Sequence, residues 1–184
     1  QVLPETKEAM TDCIATAKAK GATIAEFTLP DDFADLTHAL DVISSYERAR
    51  ATAWEWHNHR DQLSGPLRRT IAKGFGWNYG DYQAALLLAS DCRRRLADLF
   101  EGTDALIAPL TAGEAPADLN STGDHAFVGF WNLLHVPSFA LPTHTGPNHM
   151  PVGIHLVGAH GDDAKLSLVA KWLFDRVTQP PHSH

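Results

Sequence analysis

The sequence predicts an α/β protein, with helices packed on a largely buried sheet. Three observations carry that expectation. Stretches with a 3.6-residue apolar period alternate with short apolar runs framed by proline or glycine. Of the 184 residues, 44% are hydrophobic, enough to bury a core within one domain. No internal repeat interrupts the pattern.

Residues 4–20 open on Pro4, carry acidic residues in the first turn and place Met10, Cys13, Ile14 and Ala17 at helical spacing. Gly21 then follows as the stop, so a glycine-terminated helix is expected. "ATIAEFTLP" alternates Ile24 and Phe27 with polar neighbours up to Pro30, the pattern of a strand over residues 22–29. Residues 33–62 read as one long helix whose stripe includes Leu36, Leu40, Ile43, Glu47 and Trp54, so a carboxylate sits among apolar side chains. The glycine-rich "SGPLRRTIAKGFGWNYG", with Phe75, Trp77 and Tyr79, reads as a loop, and residues 81–100 as another helix. "DALIAP" is a short buried strand, "APADLNSTGD" a loop, and residues 124–134 are helical. Strands in "NLLHVPSFALP" and "HMPVGIHLV" precede a closing helix whose Leu166, Val169, Ala170, Leu173, Phe174 and Val177 share one face. The tail at 179–184 has no apolar residue and is expected to be disordered.

Charge and composition narrow the function. A net charge of −7, with no basic run longer than Arg93–Arg95, argues against nucleic acid as a partner. No apolar stretch approaches the roughly 20 residues that span a bilayer, and Gln1 opens no signal peptide, so no membrane partner and a cytoplasmic location are expected. Cys13 and Cys92 fit free thiols in a reducing compartment. The chain begins in mid-pattern and not with Met, so the start of the protein is expected upstream.

Conspicuous polar residues have structural readings. His57 and His59 in "WHNHR" fall within a predicted helix, and the eleven histidines form no H-E-x-x-H pattern. Neither a metal nor another cofactor is expected. His155 lies in a buried-looking strand and suits a hydrogen-bonded core histidine. Ser138 and His135 are flanked by prolines in a strand context that favours packing over catalysis. Glu47 is most simply a carboxylate paired with an arginine. The five tryptophans read as core or pocket wall. Arg93 is the stronger functional candidate. It lies eleven residues after Tyr82, about three turns, so the two share a face with Leu86, Ala89, Leu96 and Phe100. Arg94 and Arg95 rotate away from that face by about 100° and 200°.

"DALIAP", "WNLLHVPSFALP" and "MPVGIHLVGAHGDDAKLSLVA", in this order and spacing, resemble the carboxyl-terminal portion of the amidase signature family. The upstream segments with Gly21, Pro30, Glu47, "GDYQAAL" and "CRRRLADLFEGTDALIAP" extend the likeness from residue 1 to about 178. His135 and Ala140 stand where many members have glycine and serine. The resemblance implies an incomplete, carboxyl-terminal part of a mixed sheet flanked by helices, spanning residues 1–178, in a hydrolase of carboxamide C–N bonds. That family attacks with a serine, relays the proton through a second serine and a lysine, and works through an acyl-enzyme. Those groups lie in its amino-terminal part. The only Ser-Ser pair here, Ser44 and Ser45, falls in mid-helix without flanking glycines, so no catalytic residue is expected in this chain, and the chain alone is expected to be inactive.

The resemblance also implies substrate contacts at Tyr82, Arg93, His125 and Trp131. For Arg93, pairing with Glu47 or Asp124 stands as the alternative. Expected partners are a small-molecule amide, the missing amino-terminal half and, as a candidate, a second copy in a homodimer. Two other readings stay open. One is a protein resembling the amidase-type component of a glutamine-dependent amidotransferase, although His125 stands where that branch carries an acidic residue. The other is a non-catalytic α/β binding domain.

Overall fold

The computed structural model describes residues 2–118, 121, 123 and 126–177. The expected disordered tail at 179–184 lies outside the described residues. The chain divides into two compact units, one built from the segment up to Thr28 with that from Leu96 onward, the other from Leu29–Arg95.

In the first unit, helix α1 (Pro4–Ala19) forms where expected. Gly21, at φ +96°, stops it: its N–H reaches the Lys18 carbonyl at 3.0 Å and that of Ala22 reaches the Ala17 carbonyl at 3.0 Å, a Schellman closure. Three strands, β1 (Leu106–Pro109), β2 (Ser138–Thr145) and β3 (Pro151–Val157), pair in the order β1-β3-β2, both ladders antiparallel. Between β1 and β2 lies a short helix α6 (Gly129–Leu133), and α7 (Asp163–Val177) closes the unit.

Strand alternation divides the sheet into two faces. Val152, Ile154 and Leu156 of β3 meet Leu141 of β2, Ala9, Cys13 and Ala17 of α1, and Leu166, Ala170 and Leu173 of α7 in one core. The small residues of α1 permit its close approach to the sheet. Phe174, expected on the buried face of α7, is exposed. On the other face His155 stands in a row between Ala108 and Ala140. Pro142 has no N–H to donate to the ladder, and the β2 register shifts between Pro142 and His144. Burial pushes the Cys13 thiol up to about 11, so it packs as an inert apolar group. Both cysteines are free and buried.

The strand expected over residues 22–29 does not form. Ala22 and Ile24 still pack on the core, but alternation supplies only side-chain burial, and a strand also needs a neighbouring backbone to pair with.

Glu114 clasps the β2–β3 turn. Its carboxylate accepts from the backbone N–H of Asn148 at 3.1 Å and of Met150 at 3.2 Å, and from the Asn148 side-chain amide. Gly146 leaves room for it, since a Cβ there would lie 2.6 Å from Glu114 Cβ. Desolvation raises the Glu114 carboxyl, but the donors of Asn148 and Met150 outweigh it and hold the group below its ordinary value of 4.5. A lowered folded pKa means stability that is present above the unfolded value and lost as pH falls through the folded one. Glu114→Gln should therefore lower the thermal midpoint at pH 7, with the gap from wild type narrowing below about pH 4.5. Thermal melts of both proteins from pH 7 to pH 3 check this; a pH-independent gap would assign the effect to packing.

In the second unit the single long helix expected over 33–62 is broken. A one-turn 3-10 helix (Asp31–Asp35) leads into α2 (Leu36–Ala51), and α3 (Ala53–Asn58) and another 3-10 turn (Arg60–Gln62) follow. The buried side of α2 runs through Leu36, Ala39, Val42, Ile43, Ser45 and Ala49, whereas Trp54 is 63% exposed and Glu47 is also exposed.

The glycine-rich segment expected as a loop is instead helix α4 (Gly65–Gly76). Ser64 caps it by accepting from the Leu67 N–H at 3.4 Å, Pro66 sits in its first turn, and Ile71 is fully buried. Gly74 is a packing residue, because the α2 backbone at Ser45 lies where its side chain would be. Helix α5 (Tyr79–Leu99) forms as expected, with its last turn counted with the first unit.

Candidate functional site

Helix geometry places Tyr82 and Arg93 at one border of the buried face of α5. That face centres on Ala85, Ala89, Cys92 and Leu96, about 50° from Tyr82, so the expected stripe is rotated by part of a turn. Tyr82, Leu86 and Arg93 are half-buried. Arg94 and Arg95 are exposed, as the rotation predicts. Arg94 pairs with Asp91 at 2.5 Å, and Arg95 with Asp32 at 2.5 Å. The Arg95 hydrogen bond holds the Asp32 carboxyl below the usual carboxylate range. Arg93 is partnered within the chain.

Tyr82 is fixed from two sides. Its hydroxyl donates to Glu47 Oε1 at 2.7 Å, and its ring stacks on Tyr46 with centroids 4.3 Å apart and planes within 9°. Arg50 lies over the Tyr46 ring, 3.1 Å from its centroid, and donates to the carbonyls of Tyr46 and Gly74 at 3.0 and 3.2 Å. Tyr79 adds a third ring 6.3 Å from Tyr82. The hydrogen bond to Glu47 raises the Tyr82 phenol above its ordinary pKa.

This corrects the expectation for Glu47. Among the described residues its partner is a tyrosine hydroxyl, and the ion pairs of those residues do not include it. Asp41, on the same helix, pairs with Lys73.

Ser44 and Ser45 lie in the middle of α2. Ser45 is buried; its hydroxyl donates to the Asp41 carbonyl at 2.5 Å and accepts from the Trp77 indole N–H at 3.1 Å. Both its proton and a lone pair are thereby committed to structure.

Trp131 belongs to the other unit. Of the five tryptophans it is the one that is buried, at 4% exposure, in edge contact with His155, ring centroids 6.4 Å apart. The Trp131 indole nitrogen and His155 Nδ1 have no hydrogen-bond partner among the described residues, against the expected hydrogen-bonded histidine. Burial lowers the His155 pKa, favouring the neutral ring. His125 and Asp124 lie outside the described residues.

His57 lies in α3 and His59 just after it, with the His57 ring against Phe75 and the His59 ring against Trp54. Among the described residues no three His, Cys, Asp or Glu side chains are grouped as a metal site. No helix among them is long and apolar enough to cross a membrane. The sequence reading missed Tyr46 and the Glu47–Tyr82 bond. The bond joins residues 35 apart and leaves no periodic signal.

Comparison with known proteins bears on the chain as a whole. A glutamyl-tRNA(Gln) amidotransferase component from Neisseria gonorrhoeae (strain ATCC 700825 / FA 1090) is 26% identical over 191 residues, covering 88% of this chain and 40% of that protein. Its mitochondrial counterpart from Anopheles gambiae is 24% identical over 205 residues, covering 94% of this chain and 41% of that protein. A crystal structure of an amidase superposes with a TM-score of 0.86 at 28% identity, covering 96% of this chain and 43% of that one. Allophanate hydrolase from Kluyveromyces lactis, with a TM-score of 0.82 at 20% identity over 99% of this chain and 31% of that one, shares the fold. The chain thus spans about two fifths of the length of the curated relatives it matches. A family model described as Amidase matches residues 1–166, a run through segments of both compact units, and the chain belongs to the amidase family.

Proposed function

We propose that residues 1–178 are the carboxyl-terminal portion of an amidase domain that hydrolyses a carboxamide C–N bond to acid and ammonia or amine. The nucleophilic serine and the lysine are supplied by an amino-terminal portion of the same protein. The observation that carries this reading is the family match over residues 1–166, on a chain two fifths the length of its relatives. Ser45 supports it, because a hydroxyl held in mid-helix by Asp41 and Trp77 has no base to activate it.

In the whole enzyme the serine oxygen adds to the amide carbonyl, its proton passes by way of the lysine to the leaving nitrogen, and water then cleaves the acyl-enzyme. No cofactor enters that sequence. This chain's part is recognition: Tyr82, Arg93, His125 and Trp131 contact the substrate, a small polar amide. The protein is cytoplasmic, has neither nucleic acid nor membrane as a partner, and has a second copy as a candidate partner. The likeness to glutamyl-tRNA(Gln) amidotransferase components favours a second reading, in which the released ammonia goes to a partner protein.

The test is labelling with a serine-directed fluorophosphonate. The longer protein that carries this chain should be labelled at one serine outside residues 1–184, and the 184-residue chain at none. Stoichiometric labelling of a serine within this chain would overturn the placement of the nucleophile.

A further inference from the structure

We propose that Tyr82 and Glu47 form a recognition subsite made only of hydrogen-bond acceptors, which selects amides carrying an ammonium or NH2 group away from the bond to be cleaved. This rests on the reading of Tyr82 as a substrate contact.

A phenol has one proton, and Tyr82 gives it to Glu47 Oε1 at 2.7 Å. Its oxygen keeps lone pairs and has nothing left to donate. The ring cannot swing freely to a new partner, because it stacks on Tyr46, and Tyr46 is held in turn by the Arg50 guanidinium over its other face. Arg50 is itself tied to the Gly74 carbonyl at 3.2 Å. Beside the phenol oxygen, Glu47 is exposed and takes no part in the ion pairs of the described residues, so its negative charge is open to a ligand.

What complements two adjacent acceptors with one negative charge is a group with several N–H donors, best of all an ammonium. Tyr79, 64% exposed and 6.3 Å from Tyr82, adds an aromatic face that also favours a cation. A carboxylate or a carbonyl oxygen presented between the Tyr82 oxygen and the Glu47 carboxylate would meet lone pairs on both. The raised phenol pKa agrees with a proton that stays on Tyr82 near neutral pH.

The experiment compares three probes of similar size on the longer protein: 4-aminobutyramide, pentanamide and succinamate. Wild type should favour 4-aminobutyramide over pentanamide in kcat/KM, with succinamate poorest. Glu47→Gln removes the charge and offers an N–H in its place, so the ratio for 4-aminobutyramide over pentanamide should fall about tenfold or more. Tyr82→Phe should lower the same ratio by a smaller factor, since Glu47 remains. An unchanged ratio with both rates reduced equally, or a wild-type preference for succinamate, would overturn the subsite. If wild type hydrolyses none of the probes, serine labelling still decides the amidase reading, and binding decides this one. Butylammonium should then shift the Tyr46 and Tyr82 ring resonances saturably in wild type and not in Glu47→Gln, and a wild type without such a shift overturns the proposal.

Discussion

Gly74→Ala should destabilise the protein by about 3 kcal/mol, the upper part of the range for overpacking a tight contact. For a chain of this size that is a drop in thermal midpoint of roughly 6–12 °C. The added methyl would sit 2.5 Å from the Ser45 carbonyl carbon and 2.8 Å from Ala49 Cβ. The first of these is backbone in mid-helix, which cannot rotate aside as a long side chain would. Relief requires α2 and α4 to separate, and that loosens the contacts of Ile71 and Ala49, both fully buried. It also strains the Arg50 hydrogen bond to the Gly74 carbonyl, and through Arg50 the Tyr46–Tyr82 stack. Gly76→Ala is the control. A Cβ there meets nothing within 4 Å, so alanine should be neutral or stabilising by up to about 1 kcal/mol through helix propensity. Circular-dichroism melts of the two variants settle the matter, and equal midpoints would remove the close helix crossing from the account.

Arg93→Lys should impair turnover of polar amides by the longer protein far more than Arg94→Lys does. Lysine keeps the charge but loses the planar fork, which carries directional contacts to a carbonyl or carboxylate. Loss of one such contact costs about 1.5–3 kcal/mol in kcat/KM, roughly 10- to 150-fold, with the thermal midpoint nearly unchanged. An arginine whose role is to match a buried charge behaves in the opposite way. Removing it destabilises the fold by about 3–5 kcal/mol and leaves turnover of the folded fraction intact. Glu47 drops out as that charge, because its partner is the Tyr82 hydroxyl. Arg93 is half-buried and Arg94 exposed on its i,i+3 pair with Asp91, so Arg94→Lys controls for surface charge. Measuring kcat/KM and midpoint on Arg93→Lys, Arg93→Ala and Arg94→Lys separates the two roles. Full activity with a lowered midpoint would end the substrate-contact reading.

Elements with a local signature were legible from residue spacing alone. Helix α1 runs from Pro4 to a glycine closure, α5 and α7 carry sustained apolar stripes, and β1 and β3 lie between proline and glycine breaks, whereas β2 runs on through Pro142, where the pattern ends it, to Thr145. The inward turn of Arg93 relative to Arg94 and Arg95 follows from 100° per residue. The order of these segments was also enough to suggest the family.

The tertiary structure decided what depends on a second segment. Ile24 and Phe27 alternate as a strand would, yet residues 22–29 gain no ladder, since a strand is defined by its neighbour's backbone. The glycines of α4 read as loop signals because propensity counts their entropy cost. At Gly74 that cost is offset by an approach to α2 that no larger residue permits. Glu47, which looked like half of an ion pair, is bonded to a phenol 35 residues away. Spacing fixes which side of its own helix a residue occupies, but the group that meets it is chosen by how that helix packs against the others, and side-chain periodicity carries no record of that.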